Sequence, residues 1–205
     1  MAIQPKRQHY TFEEYLSLLR SSSQRLEFDH GEIYAMAGSS ANHAALSFNM
    51  CRALGEDSMC RAYVADRVVK LQDNLTVMPD VVVTCDRADQ GDAFLLESPS
   101  LVVEVLSKST QARDRTYKLL LYQAKKTIEA IVFISQRVQH VEVITRTDTG
   151  WDYHEYGAGE TCILKHLNVT IQVADIYRRL AIPAETRRIL PVEIREPADD
   201  DSDDL

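Results

Sequence analysis

Pro79-Asp80-Val81-Val82-Val83 and, further on, Leu101-Val102-Val103-Glu104-Val105-Leu106 set the reading of this chain. Both stretches are continuous apolar runs, and each carries one carboxylate, at the start of the first and near the middle of the second. Continuous apolar runs belong to strands covered on both faces in the middle of a sheet, whereas a half-buried strand alternates. A carboxylate on such a strand costs several kcal/mol to desolvate without a partner, so two of them imply a metal or another cation beside them. Magnesium is the natural candidate, a hard ion that takes carboxylate oxygen, keeps several waters and completes its shell with substrate phosphate.

Outward from these strands, Ser109 or Thr110 is placed to cap a helix from about Gln111 to Lys125, and Ile128 to Ile134 and Val138 to Thr145 read as two further strands. This order predicts a β-helix-β crossover at the centre of a mixed α/β chain. Upstream, Thr11 and Glu14 form a capping box for a helix whose apolar face is Phe12, Tyr15, Leu16 and Leu19, ending at Ser21-Ser22-Ser23. Asp29-His30-Gly31 between Arg25 to Phe28 and Glu32 to Met36 predicts a hairpin. Asn42 to Leu54 has helical composition and stops at Gly55. Tyr63 to Leu71 reads as one strand, Trp151, Tyr153 and Tyr156 as another with a structural role, and Ala174 to Leu180 as a short closing helix.

The 205 residues, 45% hydrophobic and 26% charged, suffice for one domain with a real core. Residues 1–182 are expected to form it, and the Pro-rich, charged stretch 183–205 reads as a disordered acidic tail. Residues 196–205 carry six acidic and no basic side chains of a net charge of -8, leaving -2 for residues 1–195. A nearly neutral body gives no general basic surface for nucleic acid, so any phosphate contact must come from a local patch. Cys51, Cys60, Cys85 and Cys162 show no C-x-x-C spacing and read as reduced thiols in a cytoplasmic protein. Met1 to Tyr10 carries Lys6 and Arg7 without an apolar stretch, and no run approaches the roughly 20 apolar residues of a membrane span. Gly-rich phosphate loops, G-x-S-x-G elbows and H-E-x-x-H helices are absent, which leaves the hydrolase classes built on them without support.

Pro79-Asp80, then Pro99 through Thr110, then Asp114, Lys118 and Tyr122, resemble the Uma2 family, also known as DUF820, of restriction-endonuclease-like proteins. The likeness extends to Leu26 through Tyr34 and to Ser39 through His43, and so covers most of residues 10–180. Lys108 departs from it, standing where the family usually has proline. The resemblance implies the PD-(D/E)xK nuclease fold, an α/β (α+β) arrangement with a central mixed β-sheet flanked by α-helices. It also implies Mg2+- or Mn2+-dependent hydrolysis of DNA phosphodiesters.

On that reading Asp80 and Glu104 hold the metal, with the backbone of Val105 as a further ligand and Glu27 as a third acid. A lysine beside the scissile phosphate would assist water and offset developing charge. The strand offers Leu106 where an E-x-K motif has lysine, so the charge must come from Lys118 or Lys108, of which Lys118 is favoured. Asp114, Lys118 and Tyr122 follow at i, i+4 and i+8 and share a helix face. For Asp114 and Lys118 the plainer alternative is a solvated surface ion pair worth about 0.3 to 0.5 kcal/mol. His43 occupies a matched position, and magnesium's preference for oxygen argues against its being a ligand, although its protonated ring would suit phosphate. A two-fold homodimer would suit an enzyme that cuts both strands. The competing expectation is a nuclease-fold module that binds nucleic acid or protein without cutting.

Overall fold

The structure, a computed structural model, describes residues 9–36, 38–55, 59–65, 67–91, 94–107 and 110–185. Lys108, one of the two candidate lysines, and residues 186–205 of the acidic tail lie outside them.

Helix α1 (Phe12–Ser21) starts in the capping box: the Thr11 hydroxyl accepts from the Glu14 amide, and the Glu14 carboxylate accepts from the Thr11 amide at 2.7 Å. Its Tyr15 is fully buried and stacks on Phe28 of β1 (Leu26–Asp29), which pairs antiparallel with β2 (Glu32–Ala35). The hairpin turn takes positive φ at both His30 and Gly31, the requirement of the tight turn that matches strand twist. Helix α2 (Ala41–Leu54) is capped by Ser40, whose side chain accepts from the His43 amide, and ends at Gly55 with φ 74°.

The stretch Tyr63 to Leu71 is two strands rather than one. Strand β3 (Arg61–Val64) ends where Ala65 takes φ 51°, and β4 (Val68–Gln72) joins a different sheet. Strands β5 (Leu75–Val77), β6 (Val81–Thr84), β7 (Leu95–Leu96) and β8 (Pro99–Leu106) follow. The expected helix then runs as α3 (Gln111–Arg113), a π turn over Asp114–Lys118, and α4 (Leu119–Ala124). Next come β9 (Ala130–Ser135), β10 (His140–Thr147), β11 (Gly150–Gly157), β12 (Thr161–Leu164), β13 (Val169–Gln172) and α5 (Val173–Ile176), the last shorter than the sequence suggests.

Among the described residues the larger sheet has the order β11-β10-β9-β8-β6-β3, and a second has the order β2-β1-β5-β4-β7. Strands β8 and β9 are parallel, joined by the helical crossover, and β8 pairs antiparallel with β6, so the central sheet is mixed as expected. Strand β8 is covered on both faces, and its alternation sorts the site from the core. Leu101, Val103 and Val105 pack toward Leu46, Met50 and Ile176 of α2 and α5, while Val102 and Leu106 pack toward Tyr122 and the second sheet. Glu104 shares the parity of Val102 and Leu106 and so meets the crossover helix. That helix is clamped from its other side by Arg115, which donates to both carboxylate oxygens of buried Glu142 on β10.

The expectation of reduced thiols fails for two of the four cysteines. Cys60 and Cys85 are joined as a disulfide, with Cα atoms 3.9 Å apart. They extend the β3-β6 register one step beyond the Arg61–Thr84 pair, so the sheet itself brings them together. Cys51 and buried Cys162 remain free.

Candidate active site

Four strand and helix segments deliver the acids and the lysine to one place. Asp80 directly precedes β6, and its amide donates to the Val103 carbonyl while Ala65 donates to its own carbonyl, so its position is fixed by sheet bonds on both sides. Its Oδ2 accepts from the Val105 amide at 2.8 Å and lies 3.0 Å from His43 Nε2 of α2. Glu104, one residue earlier on β8, is buried at 3% exposure. Its Oε1 accepts from Lys118 Nζ at 3.0 Å and from the Tyr122 hydroxyl.

Lys118 comes from the last position of the π turn and is 2% exposed. Its ammonium also lies 2.9 Å from Glu27 Oε1 and 3.9 Å from Asp114 Oδ1. Glu27, wholly buried on β1, accepts from the Met78 amide on that same oxygen and from Arg113 on the other, at 3.0 Å. The surface ion pair considered for Asp114 and Lys118 is therefore not what forms: both are buried, and Lys118 sits between three carboxylates. A widened π turn places Asp114 and Lys118 inward together while Arg113 still reaches Glu27, a use of local helix irregularity common at functional sites.

The electrostatics follow from burial. Desolvation pushes the Glu104 carboxyl above its ordinary range, against the pull of the Lys118 cation. Asp114 is raised for the same first reason, with Lys118 and a bond from Thr110 opposing. Burial alone would lower the Lys118 ammonium, but the carboxylates of Glu104, Glu27 and Asp114 outweigh it and hold the group well above its ordinary value. Burial and the neighbouring Glu104 raise Tyr122 as well, so its hydroxyl stays protonated and donates.

These groups floor a cleft of about 550 Å³ whose lining includes His43, Asp80, Glu104, Asp114 and Lys118. Among the described residues no three His, Cys, Asp or Glu side chains converge as a ready-made metal cage. Two carboxylates could hold a cation, since Asp80 uses only Oδ2 and Glu104 only Oε1 in bonds with described residues. Asp80 Oδ1 and Glu104 Oε2 are thus left for a cation. Three carboxylates, Glu27, Glu104 and Asp114, lie against Lys118, and Glu27 also against Arg113.

Of the residues singled out in the sequence, Glu27, His43, Asp80, Glu104, Asp114, Lys118 and Tyr122 come together here, with the Val105 amide holding Asp80. Trp151, Tyr153 and Tyr156 lie on β11 at the far edge of the sheet, where Trp151 packs beneath the Arg146 guanidinium at 4.3 Å. Arg113, Tyr34, Arg25 and Arg137 also line the cleft and were not anticipated. The place of Arg113 beside Asp114 is the one local signal that could have drawn attention to it.

The chain is similar to known proteins in sequence and in fold. The Uma2 family model, described as "Putative restriction endonuclease", matches residues 12–174. A protein of Synechocystis sp. (strain ATCC 27184 / PCC 6803 / Kazusa), named uncharacterized protein slr1290, is 34% identical over 176 residues, covering 82% of this chain and 92% of that relative. A second protein of that organism, uncharacterized protein sll1609, is 31% identical over 143 residues, covering 65% of this chain and 81% of its own. The crystal structure of "a putative nuclease belonging to DUF820" from Anabaena variabilis ATCC 29413 superposes with a TM-score of 0.66 at 16% identity, over 82% of this chain and 97% of that one. It shares the fold.

Proposed function

The chain belongs to the Uma2 family, and from that premise we propose that the cleft is the active site of a Mg2+- or Mn2+-dependent DNA endonuclease. The carrying observation is the pair of carboxylate oxygens, Asp80 Oδ1 and Glu104 Oε2, left without partners among the described residues beside a buried, triply paired lysine. Asp80 and Glu104 would hold the ion, with the backbone of Val105 adjacent. A divalent cation there would supply Lewis-acid polarisation of the phosphoryl oxygen and acidify a water.

The chain's own residues do the rest. Lys118 fills the electrostatic role of the absent E-x-K lysine from the neighbouring helix, since its Nζ reaches Glu104, 3.0 Å away. Held above its ordinary pKa by its carboxylates, it acts as a fixed positive charge against the phosphorane rather than as a base. Glu27 and Asp114 position it, and Tyr122 orients Glu104 by donating to Oε1. His43 holds Asp80 from the α2 side. Arg25, Arg113 and Arg137 on the cleft wall supply the local positive patch that the neutral body lacks, suited to a phosphate backbone. A two-fold dimer would bring one such cleft to each strand of a duplex.

Calorimetric titration of Mg2+ and Mn2+ checks the metal site. The native protein is expected to bind one ion in the cleft, and Asp80→Asn and Glu104→Gln, shown folded by circular dichroism, are expected to lose it. Unchanged binding in both variants would put the ion elsewhere, and no binding by native protein, with or without DNA, would remove the catalytic reading.

A further inference from the structure

At the mouth of the cleft the Arg113 guanidinium lies over two tyrosine rings, 5.1 Å from the centroid of Tyr34 and 5.9 Å from that of Tyr117. Each of the three side chains is fixed by a charged partner. Tyr34 donates its hydroxyl to Glu32, Tyr117 donates to Asp29 at 2.6 Å, and Arg113 is held by Glu27. The arrangement follows from register. Glu27 and Tyr34 are directly paired across β1 and β2 and so stand on one face, and Asp29, two residues on, stands on the same face. Tyr117 precedes Lys118 in the π turn. Yet this packing leaves the rings partly open: Tyr34 is 39% exposed, Tyr117 37% and the Arg113 side chain 39%.

Preordered, partly open aromatic faces bridged by a guanidinium have the features of a stacking surface for nucleobases, which every base can use because every base has a π-face. A paired base inside a duplex has no free face to offer. We infer that Tyr34, Arg113 and Tyr117 form a stacking platform for an unpaired nucleobase at the entrance to the cleft, so that the preferred substrate is DNA with a single-stranded arm or junction beside the cut. This rests on the reading of the cleft as a nucleic-acid site. The platform reaches that site through one carboxylate, since Arg113 and Lys118 grip opposite oxygens of Glu27.

Binding of fluorescein-labelled oligonucleotides in chelator, where nothing is cut, separates the possibilities. The probes are a single strand, a full duplex and a forked duplex with an unpaired arm, the last also carrying 2-aminopurine in that arm. The native protein is expected to prefer the fork and to quench the 2-aminopurine. Tyr34→Leu and Tyr117→Leu should each weaken fork and single-strand binding about tenfold while changing duplex binding less than about twofold. Tyr34→Phe, which keeps the ring and gives up only the bond to Glu32, should regain most of the fork binding that Tyr34→Leu loses. Equal losses on duplex and fork, no loss in either leucine variant, or no quenching would overturn the platform while leaving the nuclease reading intact. Failure of the native protein to bind any probe would overturn both.

Discussion

Lys118 is the residue on which the site turns, because one ammonium lies among three buried carboxylates. Removing one member of a buried charge group strands the others, so Lys118→Met is expected to cost about 3 kcal/mol of stability, read as a lowered urea midpoint at unchanged slope. A midpoint equal to that of the native protein would mean that these acids are already neutral. Elsewhere His166 has both ring nitrogens buried without a hydrogen-bond partner among the described residues, and burial lowers its pKa to about 4. Its unfolded value near 6.5 is higher, so protonation favours the unfolded chain. The stability it contributes is complete above pH 6.5 and is lost as pH falls toward 4. Discounted for partial exposure, the loss is about 1 to 2 kcal/mol. His166→Leu should flatten the midpoint-against-pH curve in that window, and an unchanged curve would refute the assignment. Asp80 and Glu104 stood out as residues because acids inside apolar runs demand a partner, whereas Lys118 was favoured through the family resemblance and its i, i+4 spacing from Asp114. Arg113 was not legible, because its partner Glu27 is distant in sequence and becomes a neighbour only when the crossover helix settles on β1, and neither was Tyr34, whose ring meets Arg113 only through that same docking.

The elements divide the same way. The two apolar strands, the β8-helix-β9 crossover, the capping box of α1 and the Gly55 stop of α2 could be read locally, since each depends on periodicity or a cap within a few residues. The break between β3 and β4 could not, because no Gly or Pro marks it and Ala65 adopts positive φ by context. Short strands such as β7, β12 and β13 lack the length to show a pattern. Nor does cysteine spacing reveal the Cys60–Cys85 bond, which requires the register of β3 on β6. That bond closes a loop with a sequence separation of 25, for which chain-entropy arguments give about 3 kcal/mol. Reductant, or Cys60→Ser with Cys85→Ser, should lower the melting temperature. Thiol counting on the unreduced, denatured protein should find Cys51 and Cys162 alone; four reactive thiols would contradict the pairing.

Taken together, two sheets and the helix between them form a cleft whose floor is acidic and whose wall carries Arg25, Arg113 and Arg137. On the proposed function, these arginines of a chain nearly neutral outside its acidic tail would meet a phosphate backbone. Replacing Arg137 with Glu should weaken DNA binding across all sequences and reduce the slope of log affinity against log salt by about one. An unchanged slope would take Arg137 off the DNA path. Composition alone pointed away from nucleic acid, because it averages over the surface and cannot show that arginines from distant segments converge. The decisive experiment is incubation of supercoiled plasmid with native protein in Mg2+, Mn2+ or chelator, beside folded Asp80→Ala, Glu104→Ala and Lys118→Ala. Nicking or linearisation that requires the metal and disappears in both acid variants, with strong loss in Lys118→Ala, is the expected result. Plasmid left intact by native protein, or cut equally well by the acid variants, would contradict it.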